Sequence, residues 1–133
     1  MQILDNNCCT CGQLEAALSE VMTRFHREVI GRGPDQVTAS LKGCTLVIHL
    51  KGVLTTAEKH LVVADGQASE GIEMVRAMRN EIVRQVRPLI LEALAATIGH
   101  RSTSFFHDFV PASNEEVFVV IFSPGRGAPP RPE

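Results

Sequence analysis

Three of the four cysteines crowd into Cys8, Cys9 and Cys11, so that Cys8 and Cys11 form a C-x-x-C just where a helix is about to begin. A thiol at a helix N-terminus ionises more readily, which suits redox chemistry or metal ligation. A structural zinc site, however, takes four ligands, commonly as two similarly spaced pairs, and Cys44 with scattered histidines supplies no second pair. A thioredoxin-like motif follows a core strand, and MQILDNN is a poor one. Cys8 and Cys11 are therefore metal or redox candidates set against a plainer expectation, a flexible start with incidental thiols. No cofactor is expected.

Four other places carry polar chemistry. In Gly31-Arg32-Gly33-Pro34 two glycines free backbone N–H groups to converge, and Arg32 could grip an anion. The loop follows a helix C-terminus, whose dipole repels anions, so a helix stop with an exposed arginine is the simpler reading. His49 is a polar residue in an otherwise apolar strand. His107 and Asp108 are adjacent in a strand and must point to opposite faces, which favours separate polar contacts over an acid/base pair. Asp108 is expected near His49 or Arg32. Arg76, Arg79, Arg84 and Arg87 run along the longest helix, but Glu73, Glu81 and Glu92 are interleaved, so a solvated, charge-paired face is expected. No serine, cysteine or carboxylate constellation makes a triad or dyad, and no catalytic residue is assigned. The candidate ligand-binding set is Arg32, Gly33, His49, His107 and Asp108.

The elements that must hold these residues can be read from periodicity. Thr10 and Gln13 form a T-x-x-Q capping box before Leu14, Leu18, Met22 and Phe25, which recur at helical spacing. Gly31 is placed to end that helix and Pro34 to keep it from resuming. Strands through Val37, Ala39, Leu41 and through Leu46, Ile48, Leu50 flank Lys42-Gly43 as a hairpin. Thr55 and Glu58 make a second capping box, opening a short helix to about Ala64 that Asp65-Gly66 breaks. Ser69 is placed to cap the long helix, whose apolar positions are Ile72, Val75, Met78, Ile82, Val86, Leu89, Ile90, Ala93, Leu94 and Ile98. Pro88 within it should kink or divide it. Strands over 102–110 and 116–122, turned by Pro111 to Asn114, complete an α-β-β-α-α-β-β order. The expected fold is α+β, a two-layer sandwich with a four-stranded, mostly antiparallel sheet and helices packed on one face. EVFVVIF is apolar on both faces, so one face can meet the helices while the other needs a partner, and a homodimer is expected. The domain organisation is a flexible segment over 1–10, one domain over 11–123 and a disordered Pro/Gly-rich tail over 124–133.

At 133 residues the chain can bury a real core, and with 44% hydrophobic and 21% charged residues it reads as a globular protein. The absence of Trp and Tyr removes the usual base-stacking and sugar-stacking rings, and a net charge of −2 offers no counterion-releasing surface, so nucleic acid is not an expected partner. No apolar run approaches the roughly 20 residues needed to span a bilayer, and 1–7 lacks the pattern of a signal peptide. Without such a run direct membrane insertion is not expected, and adjacent thiols without an export signal point to a reducing cytoplasm, not a disulfide scaffold.

The order of elements, GRGP at 31–34, GVLTTAE at 52–58, the RP step at 87–88 and a phenylalanine-rich strand bearing His107-Asp108 resemble the MpsC-like family over roughly residues 12 to 123. The resemblance implies a small non-enzymatic accessory protein associated with a sodium or inorganic-carbon membrane transport system, placed at the inner face of the membrane through a partner. It brings no catalytic residues. Two other functions compete: a sensor of an anion or nucleotide built on the Gly31–Pro34 loop, and a redox or zinc protein built on Cys8 and Cys11.

Overall fold

The computed structural model describes residues 11–64 and 70–123. The Thr10 cap, Cys8, Cys9, the side chain of Cys11, the Asp65-Gly66 break, the Ser69 cap and the 124–133 tail lie outside the described residues. Helix α1 spans Cys11–Phe25 and continues as one wider π turn over His26–Ile30. Gly31, at φ 106, closes it by donating its N–H to the carbonyl of His26 at 2.9 Å. A left-handed C-terminal glycine is the expected stop. Strands β1 (Gln36–Lys42) and β2 (Thr45–Lys51) form the hairpin. Helices α2 (Thr56–Ala64) and α3 (Glu70–Ile98) follow, then β3 (Ser102–Val110), a 3-10 turn over Pro111–Ser113, and β4 (Glu115–Phe122).

The sheet is antiparallel throughout, in the order β1-β2-β4-β3, so the last of the described strands sits inside the sheet. This is the α+β fold anticipated from periodicity. Strand alternation sorts the side chains. Leu46, Ile48 and Leu50 of β2 and Phe118, Val120 and Phe122 of β4 are buried with Leu14, Leu18 and Met22 of α1 and Val75, Val83, Ile90 and Leu94 of α3. The opposite face of β4 carries Val117, Val119 and Ile121, with Val47 and Phe106 beside Val119 in the neighbouring strands. Val47 and Phe106 are exposed there.

Of the two outcomes expected at Pro88, division of α3 does not occur, and its buried stripe differs from the expected one. The helix runs through Pro88 undivided, and Pro88 is exposed, so the carbonyl that loses its ladder partner lies on a side of the helix that water can reach. The inward stripe is also rotated from the anticipated one: Met78 and Leu89 are exposed, while Arg79 falls between Val75 and Val83 on the buried ridge. The reading of Arg79 as part of a solvated face is therefore overturned.

The loop between β2 and α2 is held at both ends. Gly52 has φ 69 and donates its N–H to the carbonyl of Asn114 at 2.9 Å, while the Asn114 side-chain oxygen accepts the N–H groups of Val53 (2.8 Å) and Leu54 (2.9 Å). A Cβ at Gly52 would lie 2.6 Å from Asp35 Cβ and closer still to its carboxyl group. Gly52→Ala thus combines left-handed backbone strain with a clash, and is expected to lower stability by more than about 1 kcal/mol. Removing the carboxylate through Asp35→Ala should recover only part of this. Thermal unfolding of the single and double variants checks both points.

Candidate functional site

Strand periodicity puts Glu116 in phase with Phe118, Val120 and Phe122, so a carboxylate points into the core. It is 1% exposed. Its Oε1 accepts from His26 Nε2 at 2.7 Å and from Arg79 Nη1 at 3.4 Å, and its Oε2 accepts from His107 Nε2 at 2.6 Å. The donors come from three elements: the π turn after α1, the buried ridge of α3, and the inner face of β3.

Arg79 has no exposed surface. Its Nε and Nη2 donate to Glu58 at 3.1 and 2.9 Å, Nη2 also to the Val53 carbonyl, and Nη1 to Glu116. Glu58 meanwhile completes the expected capping box: it accepts the Thr55 N–H at 2.9 Å and returns its own N–H to Thr55 Oγ1 at 3.2 Å. One carboxylate thus caps α2 and ties that helix to α3. Aromatic rings wall the group in. Phe118 lies against His107 with centroids 4.6 Å apart, Phe25 meets His26 edge-on at 5.0 Å, and the Arg79 guanidinium stands 4.7 Å over Phe109.

His26 Nδ1 faces the Met22 carbonyl at 3.0 Å while Nε2 faces Glu116. The cluster brings the Glu58 and Glu116 carboxylates together with the Arg79 guanidinium and the His26 and His107 imidazoles in the interior. For Glu116, burial pushes the carboxyl up, but hydrogen bonds from His107 and His26 and their charges outweigh it and hold the group down at about 2.

The residues singled out in the sequence do not form one site. His107 joins the buried cluster, whereas Asp108 points the other way, as strand alternation requires, and accepts from Arg76 Nη2 at 2.9 Å and from the Phe109 N–H. Its partner is Arg76, not the His49 or Arg32 anticipated. His49 lies 3.3 Å from Glu115, and with Asp108 and Val117 both line a shallow hollow on the outer sheet face. Arg32 is a tie within its own loop: Nε donates to the Gly33 carbonyl, Nη1 to the Leu54 carbonyl, both at 3.0 Å, and Nη2 to Asp35 at 2.6 Å. Gly33 packs beside Thr23 and Arg27. Arg84 pairs with Glu81, and Arg87 lies over Phe105. Among the described residues no group of three or more His, Cys, Asp or Glu is arranged to hold a metal ion.

Sequence reasoning does not find His26, Arg79 and Glu116, nor the second role of Glu58. Their signal is phase: Arg79 is four residues from both Val75 and Val83, and Glu116 alternates with Phe118 and Val120. Charge alone argues for the surface.

The comparisons with known proteins agree on one kinship. The family model described as "Na+-translocating membrane potential-generating system (MpsC)" matches residues 10–124. The chain is also similar to YbcI of Bacillus subtilis (strain 168), described as an uncharacterized protein, with 27% identity over 108 residues, covering 81% of this chain and 84% of the relative. No solved structure matches the chain.

Proposed function

Because the chain belongs to the MpsC family, we propose that it is a non-catalytic accessory component of a Na+-translocating, membrane-potential-generating system, acting by contact with other proteins. It works at the cytoplasmic face, held near the membrane through a partner. The observation that carries this reading is a division of labour between inside and outside. The strongest ionisable cluster, Glu58, Arg79, Glu116 and His26, is buried and fully engaged in internal hydrogen bonds. Such groups suit shape more than turnover, since a general acid or base must reach a substrate. Apolar side chains, by contrast, stand outside on both layers: Val47 and Phe106 on the sheet, Val29, Met74, Met78 and Leu89 on the helices. No helix among the described residues is long and apolar enough to cross a membrane, which fits a role as a contact component.

Deleting the gene in its own organism and following membrane potential with a voltage-sensitive dye over a range of Na+ concentrations tests this. The expected result is a reduced potential that deepens with Na+ load and returns when the chain is supplied again. A potential indifferent to the deletion at every Na+ concentration overturns the reading.

A further inference from the structure

We propose that the open face of the sheet seats a second copy of this chain, about a two-fold axis running along β4. This deepens the contact reading above by naming one contact. The strand register defines the face row by row. Across β1, β2, β4 and β3, the central row reads Ser40, Val47, Val119, Phe106. The row beside it reads Thr38, His49, Val117, Asp108. The β1 column is polar throughout (Gln36, Thr38, Ser40, Lys42), whereas the β4 column holds Val117, Val119 and Ile121.

A two-fold axis along a strand keeps each row opposite itself and exchanges the columns on either side of the axis. Placed on β4, it sets Val117 and Val119 against their own copies, Val47 against Phe106 of the partner subunit, and His49 against Asp108 of the partner subunit. The polar β1 column then falls outside the contact and stays in water. Placed between β2 and β4 instead, the same operation would set polar β1 on apolar Phe106. Polarity agrees with the first placement. His49 lies 3.3 Å from Glu115, and Asp108 2.9 Å from Arg76, in each case with part of the side chain exposed. Bringing His49 to the partner's Asp108 gives an imidazole N–H a carboxylate acceptor across the contact. Glu115 meets its own copy at one end of the axis, where Lys51, opposite it in register, offsets the repulsion. The roughly 30° twist between aligned sheets moves residues least near the axis, so the central rows keep their partners.

Three strands about 4.8 Å apart and seven residues at about 3.4 Å each give a footprint of about 14 by 24 Å, roughly 340 Å² per partner and well under the about 800 Å² per partner of a standard specific interface. The dimer is accordingly weak and concentration-dependent.

Sedimentation velocity of the full chain over a wide concentration range tests it. The expected result is a reversible monomer–dimer equilibrium that Val119→Asp and, separately, Phe106→Glu shift at least tenfold toward monomer, with thermal midpoints near that of the parent. Ser40→Asp, in the excluded column, should leave the equilibrium unchanged. Asp108→Lys should weaken the dimer and added His49→Glu restore it; failure to restore overturns the axis along β4. A chain that stays monomeric at all concentrations, or a dimer indifferent to both Val119→Asp and Phe106→Glu, overturns the proposal. A monomer leaves the Na+-dependent phenotype standing, so the two readings fail separately.

Discussion

Replacing Arg79 by leucine will destabilise the domain by about 3–5 kcal/mol, a large part of the total stability of a domain this size. The loss is not that of one ion pair. Arg79 lies at 0% exposure between Glu58 and Glu116 and also serves the Val53 carbonyl. Leucine would fill much of the space but leave the buried Glu58 carboxylate without its counter-charge, Glu116 without one of its three donors and a buried carbonyl without its donor. Lysine keeps the charge and loses the planar fork, so Arg79→Lys should recover only part of the loss. Equilibrium unfolding in urea, read by circular dichroism, gives the order parent, lysine, leucine. Arg84→Leu on the same helix is the control. Arg84 is paired with Glu81 in full view of solvent, and its replacement should leave the urea midpoint where it was.

The second large effect is on acid stability. In the folded chain the Glu116 carboxyl titrates at about 2, against an ordinary value of 4.5. A carboxyl whose folded pKa is depressed contributes stability that is fully present above the unfolded value and disappears as pH falls through the folded one. The contribution therefore erodes between about pH 4.5 and pH 2 and amounts to roughly 3 kcal/mol. Glu116→Gln should remove that part of the acid dependence and lower stability at neutral pH, because an amide turns one acceptor into a donor among groups that are already donors. Urea midpoints for parent and variant at stepped pH decide the matter. Parallel curves across this window would show that Glu116 is not the titrating group.

Much of this arrangement is legible in the residues themselves. The hairpin, the Gly31 stop, the Thr55–Glu58 box and the element order all depend on residues near one another in sequence, where propensity and turn chemistry act directly. The open sheet face is legible for the same reason, since EVFVVIF offers apolar residues in both phases. The polar centre is not. Apolar residues surround α3 on so many sides that two different stripes fit the helical period, and the wrong one places Arg79 in water. Only packing against α1, α2 and β3 chooses between them. Arg32 shows the opposite error. Its place among glycines suggests a binding loop, but its donors are spent on Gly33, Leu54 and Asp35, contacts that join residues 32 and 54 across the intervening hairpin.

The position of β4 has a consequence for synthesis on the ribosome. It is made after every other described element, yet it lies between β2 and β3 and carries Glu116, the acceptor for His26, His107 and Arg79. Until that strand has left the exit tunnel, the sheet is two separated pieces and three nitrogen-bearing side chains wait for the oxygen atoms that will receive them. A nascent chain halted before residue 115 can form helices and the first hairpin but has no complete core to collapse onto. Folding of this domain is thus tied to its final stretch, and an incomplete copy is left recognisable to chaperones and proteases by the apolar surface it cannot hide.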